Sequence, residues 1–157
     1  MKPETLFLKI AVVLIAIPVL ALCIFGLPRF AYETADYFPA YWLYPAITGM
    51  YVSAIPFFVA LYQALRLLTY IDKNEAFSDL SIKALKTIKR CAILITILYV
   101  AILPFLYLMA DQDDAPGIVA IGLVITFGSI VIAVFAAVLQ KLLQNAIDIK
   151  SENDLTV

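Results

Sequence analysis

The sequence predicts an all-α membrane protein with four transmembrane helices, both termini in the cytoplasm (N-in/C-in), and a short amphipathic cytoplasmic helix between helices 2 and 3. Three observations carry this. Of 157 residues, 64% are apolar and 15% charged, against roughly 45–50% and about 25% in an ordinary soluble domain. Four runs, 10–28, 37–65, 91–110 and 115–140, contain no Asp, Glu, Lys or Arg. An ionised group at the bilayer centre costs at least ~2.5 kcal/mol, and a span takes about 20 mostly apolar residues. Finally, ten of the eleven Lys and Arg fall in the termini and the central loop, leaving only Arg29 in the other connectors, the asymmetry that cytoplasmic flanks show. A soluble bundle of buried helices is strongly disfavoured because too little polar sequence remains to wrap runs of this length.

The whole chain reads as one integral membrane domain with spans at 6–27, 41–65, 92–110 and 117–140, a cytoplasmic loop at 66–91 and a cytoplasmic tail at 141–157. Each span is expected to be helical despite its β-branched residues, since backbone amides in hydrocarbon must be satisfied within the segment. The first has the outline of a signal peptide, and Leu20-Ala21-Leu22-Cys23 faintly resembles a lipoprotein cleavage site. Leu22 is too large for cleavage, and the apolar run continues through Ile24, Phe25, Gly26 and Leu27, so a retained anchor is predicted. The second span, about 37 Å if straight, exceeds a ~30 Å hydrocarbon core and must tilt or bend. Pro45 and Pro56 are its bending points, as Pro18 and Pro104 are for the first and third. Tyr37, Tyr41, Trp42 and Tyr44 form an aromatic belt at its outer end.

In the central loop, 70–75 is a polar turn. Ser78 is the expected N-cap of a helix over 79–90, with Asp79 favourable at its positive end and Phe77 poised to staple onto Ile82. Leu80, Ala84, Leu85 and Ile88 form its apolar side; Lys83, Lys86 and Arg90 align on another, with Lys89 adjacent. Such a helix is expected at the inner interface, turning afterwards into the third span. Lys83, Lys86, Lys89 and Arg90 are candidates for contact with anionic lipid or a partner; the same cations also serve simply to set topology.

In the fourth span Gly122, Thr126, Ser129, Ala133 and Ala137 recur at three- and four-residue spacing, a small-residue face expected to meet another helix. The helix is expected to continue through 141–150. Glu152, Asn153, Asp154, Leu155, Thr156 and Val157 then form either a partner-docking tail or a frayed terminus.

The chemistry available is limited. There is no His, and Cys23 and Cys91 lie at depths about 20 Å apart against the ~7 Å a disulfide allows, so neither a zinc site of the usual His/Cys kind nor a disulfide framework is expected. No metal, no cofactor and no catalytic residue is assigned. A net charge of −1 provides no field for direct nucleic-acid binding. No Asp, Glu, Lys, Arg or His lies within the four charge-free runs to serve as proton relay, voltage sensor or ion-coupled carrier. Thr48, Ser53, Gln63, Thr96, Ser129 and the hydroxyls of Tyr51, Tyr62 and Tyr99 are the intramembrane polar groups, expected to tie helices together.

The Phe77-Ser78 start of the loop helix, Leu85 and Ile88 after it, and the terminal run 152–157 resemble the YoaS-like family of small four-pass bacterial inner-membrane proteins, a domain of unknown function. The resemblance spans essentially the whole chain and brings no established catalytic residues. Many relatives are encoded beside a small helix-turn-helix regulator, so the resemblance implies a link to transcription control and a bacterial inner-membrane location. Two readings follow. In the first, a non-enzymatic sensory or regulatory module docks a cytoplasmic transcription regulator through 79–90 and 152–157. The alternative is a small permease or channel component acting as a homo-oligomer, with a path lined by Thr48, Ser53, Gln63, Tyr51 and Tyr62. An enzyme is the weakest reading, because Ser and Tyr have no intramembrane base beside them.

Overall fold

A computed structural model describes residues 3–36 and 38–155. Among these the chain is all-helical: α1 (Pro3–Ala21), a π-helical turn (Leu22–Gly26), α2 (Leu27–Thr34), α3 (Ala40–Asp72), α4 (Asp79–Asp113) and α5 (Gly117–Leu155). With α1, the π turn and α2 forming one continuous rod, four rods among the described residues are long and apolar enough to cross a membrane.

The π turn has a local cause. Leu27 N–H donates to the Leu22 carbonyl, five residues back, and the next residue is Pro28, which has no N–H to give. The Cys23 carbonyl thereby loses both backbone donors within reach; the Tyr51 hydroxyl of α3 donates to it at 2.8 Å. The rod then continues past the expected end at residue 27 to Thr34, because a change in hydropathy marks the edge of the hydrocarbon and does not interrupt the helical ladder.

The second rod likewise outruns its predicted span. It stops only where Asn74 turns left-handed, at φ 60°, with Glu75 N–H donating to the Tyr70 carbonyl at 2.7 Å and Asn74 N–H to Ile71 at 3.2 Å, the paired bonds of a Schellman motif. Four residues later Ser78, extended at φ −142° and ψ 162°, starts α4, its side chain accepting from Ser81 N–H. The expected cap is thus present. Phe77 stays 61% exposed, so a staple onto Ile82 covers little of its ring.

The loop helix and the third span are one helix with no turn between them. Neither Gly nor Pro occurs between Asp79 and Leu103 to interrupt the ladder. Its apolar side is turned partly into the protein: Ala84 and Leu85 are buried, while Leu80 remains exposed. At its far end Asp114 is left-handed and Ala115 N–H donates to the Ala110 carbonyl at 2.9 Å.

α4 packs between α3 and α5, while α1 meets the rest chiefly at α3. The buried core, Phe38, Leu43, Ala46, Ile102, Leu106 and Met109, joins α4 to α3 and the chain leading into it. Glycine sets the close approaches. A Cβ at Gly49 would stand 2.5 Å from Ile102 Cγ2, and one at Gly122 would stand 2.9 Å from Leu103 Cδ2. On α5, Gly122, Thr126 and Ser129 are buried, but the stripe continues to Ala136, with Ala133 half-buried and Ala137 exposed. At 3.6 residues per turn the face running through 122, 126 and 129 comes round at 136, and residue 137 has rotated outward.

Most of the intramembrane hydroxyls with a resolved partner bond their own helix: Thr96 to the Ala92 carbonyl, Thr126 to Gly122, Ser129 to Ile125 and Ser53 to Met50. A carbonyl three or four residues back is always within reach, whereas a neighbouring helix must present an acceptor in register. Tyr51 does cross between rods.

Candidate functional site

Two polar contacts gather the charged segments at one end of the bundle. Lys9 near the start of α1 pairs with Asp72 at the end of α3 at 2.9 Å, their side chains only 16% and 11% exposed, and the Thr5 hydroxyl also donates to the Asp72 carboxylate. Lys89 Nζ on α4 donates to Gln140 Oε1 on α5 at 3.1 Å. This is the basic end. The predicted cations divide there: Lys83, Lys86 and Arg90 are exposed, while Lys89 is half-buried and turned toward α5. Beside it a notch of about 310 Å³ is lined by Lys89, Gln140, Lys141, Gln144 and Asn145. Spacing within one helix carries no register between two, so this grouping had no signal in the sequence.

The tail residues Glu152, Asn153, Asp154 and Leu155 continue α5 and are exposed, Leu155 at 84%; Thr156 and Val157 lie outside the described residues. Arg66 on α3 stands 5.8 Å from the ring centroid of Tyr62 and 5.7 Å from that of Tyr70, a cation sandwiched by aromatic faces one turn to either side. Four-residue spacing of Tyr62, Arg66 and Tyr70 is the sequence signal for this stack.

Toward the other end, a cavity of about 460 Å³ opens where the first rod stands off from α5. Leu22, Cys23 and Gly26 of the π turn face Met50, Tyr99 and Ile121 across it, and its wall is almost entirely carbon. Ser53 borders it with its hydroxyl bonded to Met50. Cys23 and Cys91 are both free thiols. Of the aromatic belt, Tyr41 and Tyr44 are exposed and Trp42 packs edge-to-face on Tyr41 at 5.6 Å; Tyr37 lies outside the described residues.

Comparison with known proteins places this architecture. Residues 29–157 match the family model described as protein of unknown function DUF2975. The chain is 66% identical over 158 residues to the uncharacterized membrane protein YoaS of Bacillus subtilis (strain 168), covering 99% of each. No solved structure matches. A family match over most of the chain, whole-length identity to a membrane relative and four rods able to span a bilayer lead to one conclusion: this chain belongs to the DUF2975 family, as a membrane protein of unknown function.

Proposed function

We propose that this protein is a non-enzymatic sensory or regulatory module of the bacterial inner membrane, oriented N-in/C-in, that docks a cytoplasmic partner at its basic end. The observation that carries the reading is the projection of two helices there. α4 starts about three turns before its charge-free run, and α5 continues about four turns beyond its own. The same end carries exposed Lys83, Lys86 and Arg90 on α4 and an exposed, acidic and apolar-tipped terminus on α5. A rigid helical pair displaying mixed charge gives a soluble partner a preorganised surface, lowering the ordering cost of binding. The partner class, a small helix-turn-helix regulator, comes from the family resemblance. The permease alternative draws on the cavity beside Ser53, whose carbon wall offers a solute few polar contacts along a path.

The test uses the full-length protein in nanodiscs and a purified small helix-turn-helix regulator of the kind encoded beside relatives. Saturable binding is expected, weakened at least about tenfold, or ~1.4 kcal/mol, by deleting residues 151–157. Absence of binding at any accessible concentration, or binding indifferent to that deletion and to Lys83→Glu with Lys86→Glu, sinks the docking reading. A Cys placed at Lys83 should react with an impermeant maleimide only after the cytoplasmic face is opened.

A further inference from the structure

The notch between α4 and α5 sits at a particular level. Lys89 lies two residues before the charge-free run 91–110 begins, and Lys141 directly follows the run 115–140. Their ammonium groups therefore stand where hydrocarbon gives way to headgroups. The contact of Lys89 with Gln140 holds the two helices together at that level. Around it the notch collects two cations and three side-chain amides, from Gln140, Gln144 and Asn145. Among the described residues neither Lys89 nor Lys141 pairs with a carboxylate. The acid one turn along α5, Asp148, is exposed and accepts a hydrogen bond from Gln144 Nε2 at 3.1 Å.

We propose that this notch binds the phosphate of an anionic phospholipid. A phosphodiester carries one negative charge on two terminal oxygens. Two ammonium groups, which act on phosphate as point charges, more than offset that charge, and amide N–H groups complete its hydrogen bonding. At the edge of the hydrocarbon the group that meets this description is a lipid headgroup, with its acyl chains continuing down the apolar α4–α5 surface. The site is separate from the exposed Lys83, Lys86 and Arg90, and it stands or falls independently of partner docking.

The experiment takes the full-length protein, delipidated in mild detergent, and counts bound phosphatidylglycerol and phosphatidylcholine by native mass spectrometry, with inorganic phosphate as competitor. Phosphatidylglycerol should bind preferentially, losing on the order of five-fold in affinity for each of Lys89→Gln and Lys141→Gln. The double variant Lys89→Arg with Lys141→Arg should retain binding, separating loss of charge from loss of fold. Lys83→Gln with Lys86→Gln should leave affinity within about twofold, since those exposed side chains lie outside the notch. Equal loss in that control pair, or phosphatidylglycerol binding unchanged when both notch lysines are Gln, overturns the proposal. Displacement by inorganic phosphate at concentrations comparable to the lipid would reassign the site to a free anion and overturn the lipid assignment.

Discussion

The first rod and the slab formed by α3, α4 and α5 are both built to cross a membrane, but different forces hold them. In the slab, glycines bring α3 and α5 close against Ile102, Leu103 and Leu106 of α4, and Leu43, Leu106 and Met109 are almost wholly enclosed. The first rod contains the most apolar stretch of the four, and no residue of that stretch is buried. Polar bonds tie it to the slab: Lys9 and Thr5 donate to Asp72, and the Tyr51 hydroxyl donates to the Cys23 carbonyl. Apolarity therefore inserts a helix without docking it, as expected where lipid tails are as apolar as leucine and only fit or hydrogen bonding favours one helix over lipid.

The sharpest way to break this contrast is truncation. Leu106→Ala, at a residue 2% exposed, should cost about 2–3 kcal/mol, the low end of the soluble range, because the cavity remains while the transfer part shrinks for a chain that unfolds within lipid. Leu14→Ala, at a residue 60% exposed on the first rod, should cost close to nothing. Unfolding midpoints in bicelles check both, and equal costs would show that the first rod is packed like the others. Next in size is Asp72→Asn, which strands the Lys9 ammonium. A fully buried pair broken this way loses ~3–5 kcal/mol, and the residual exposure at a bundle end reduces that to about 1–2. Spin labels on α1 and α3 should report a broadened distance while α3–α5 distances stay fixed, and Lys9→Met combined with Asp72→Leu should recover much of the loss.

How much of this was legible depends on whether the information is local. The four charge-free runs placed the spans, and Ser78 could be read as a cap because its bond reaches only to Ser81. The continuation of α5 past its span is legible, but the helix end of α3 is not, because hydropathy reports the hydrocarbon whereas α3 ends where Asn74 turns left-handed. The loop helix was read as separate because its composition changes at Arg90, although nothing there breaks the ladder. The groupings that give the basic end its chemistry, Lys9 with Asp72 and Lys89 with Gln140, join residues 63 and 51 positions apart. Such pairs depend on the rotation and register of whole helices, which no periodicity within a single helix encodes.

Leu14 aside, the mildest change tests the π turn of the first rod. Tyr51→Phe removes the donor to the Cys23 carbonyl, and interhelical hydrogen bonds in membranes average about 0.6 kcal/mol with a maximum near 1.7. A value toward the upper part of that range is expected, because Leu27 N–H is committed to Leu22 and Pro28 has none, so no backbone donor replaces the phenol. Pro28→Ala restores an N–H five residues beyond Cys23 and gives that carbonyl a partner of its own. On the Pro28→Ala background Tyr51→Phe should therefore be nearly silent, and the double-mutant cycle should show coupling of about the full single-variant cost. Strict additivity would mean that the phenol holds the rod through ring packing, and that the first rod is attached in the same way as the slab.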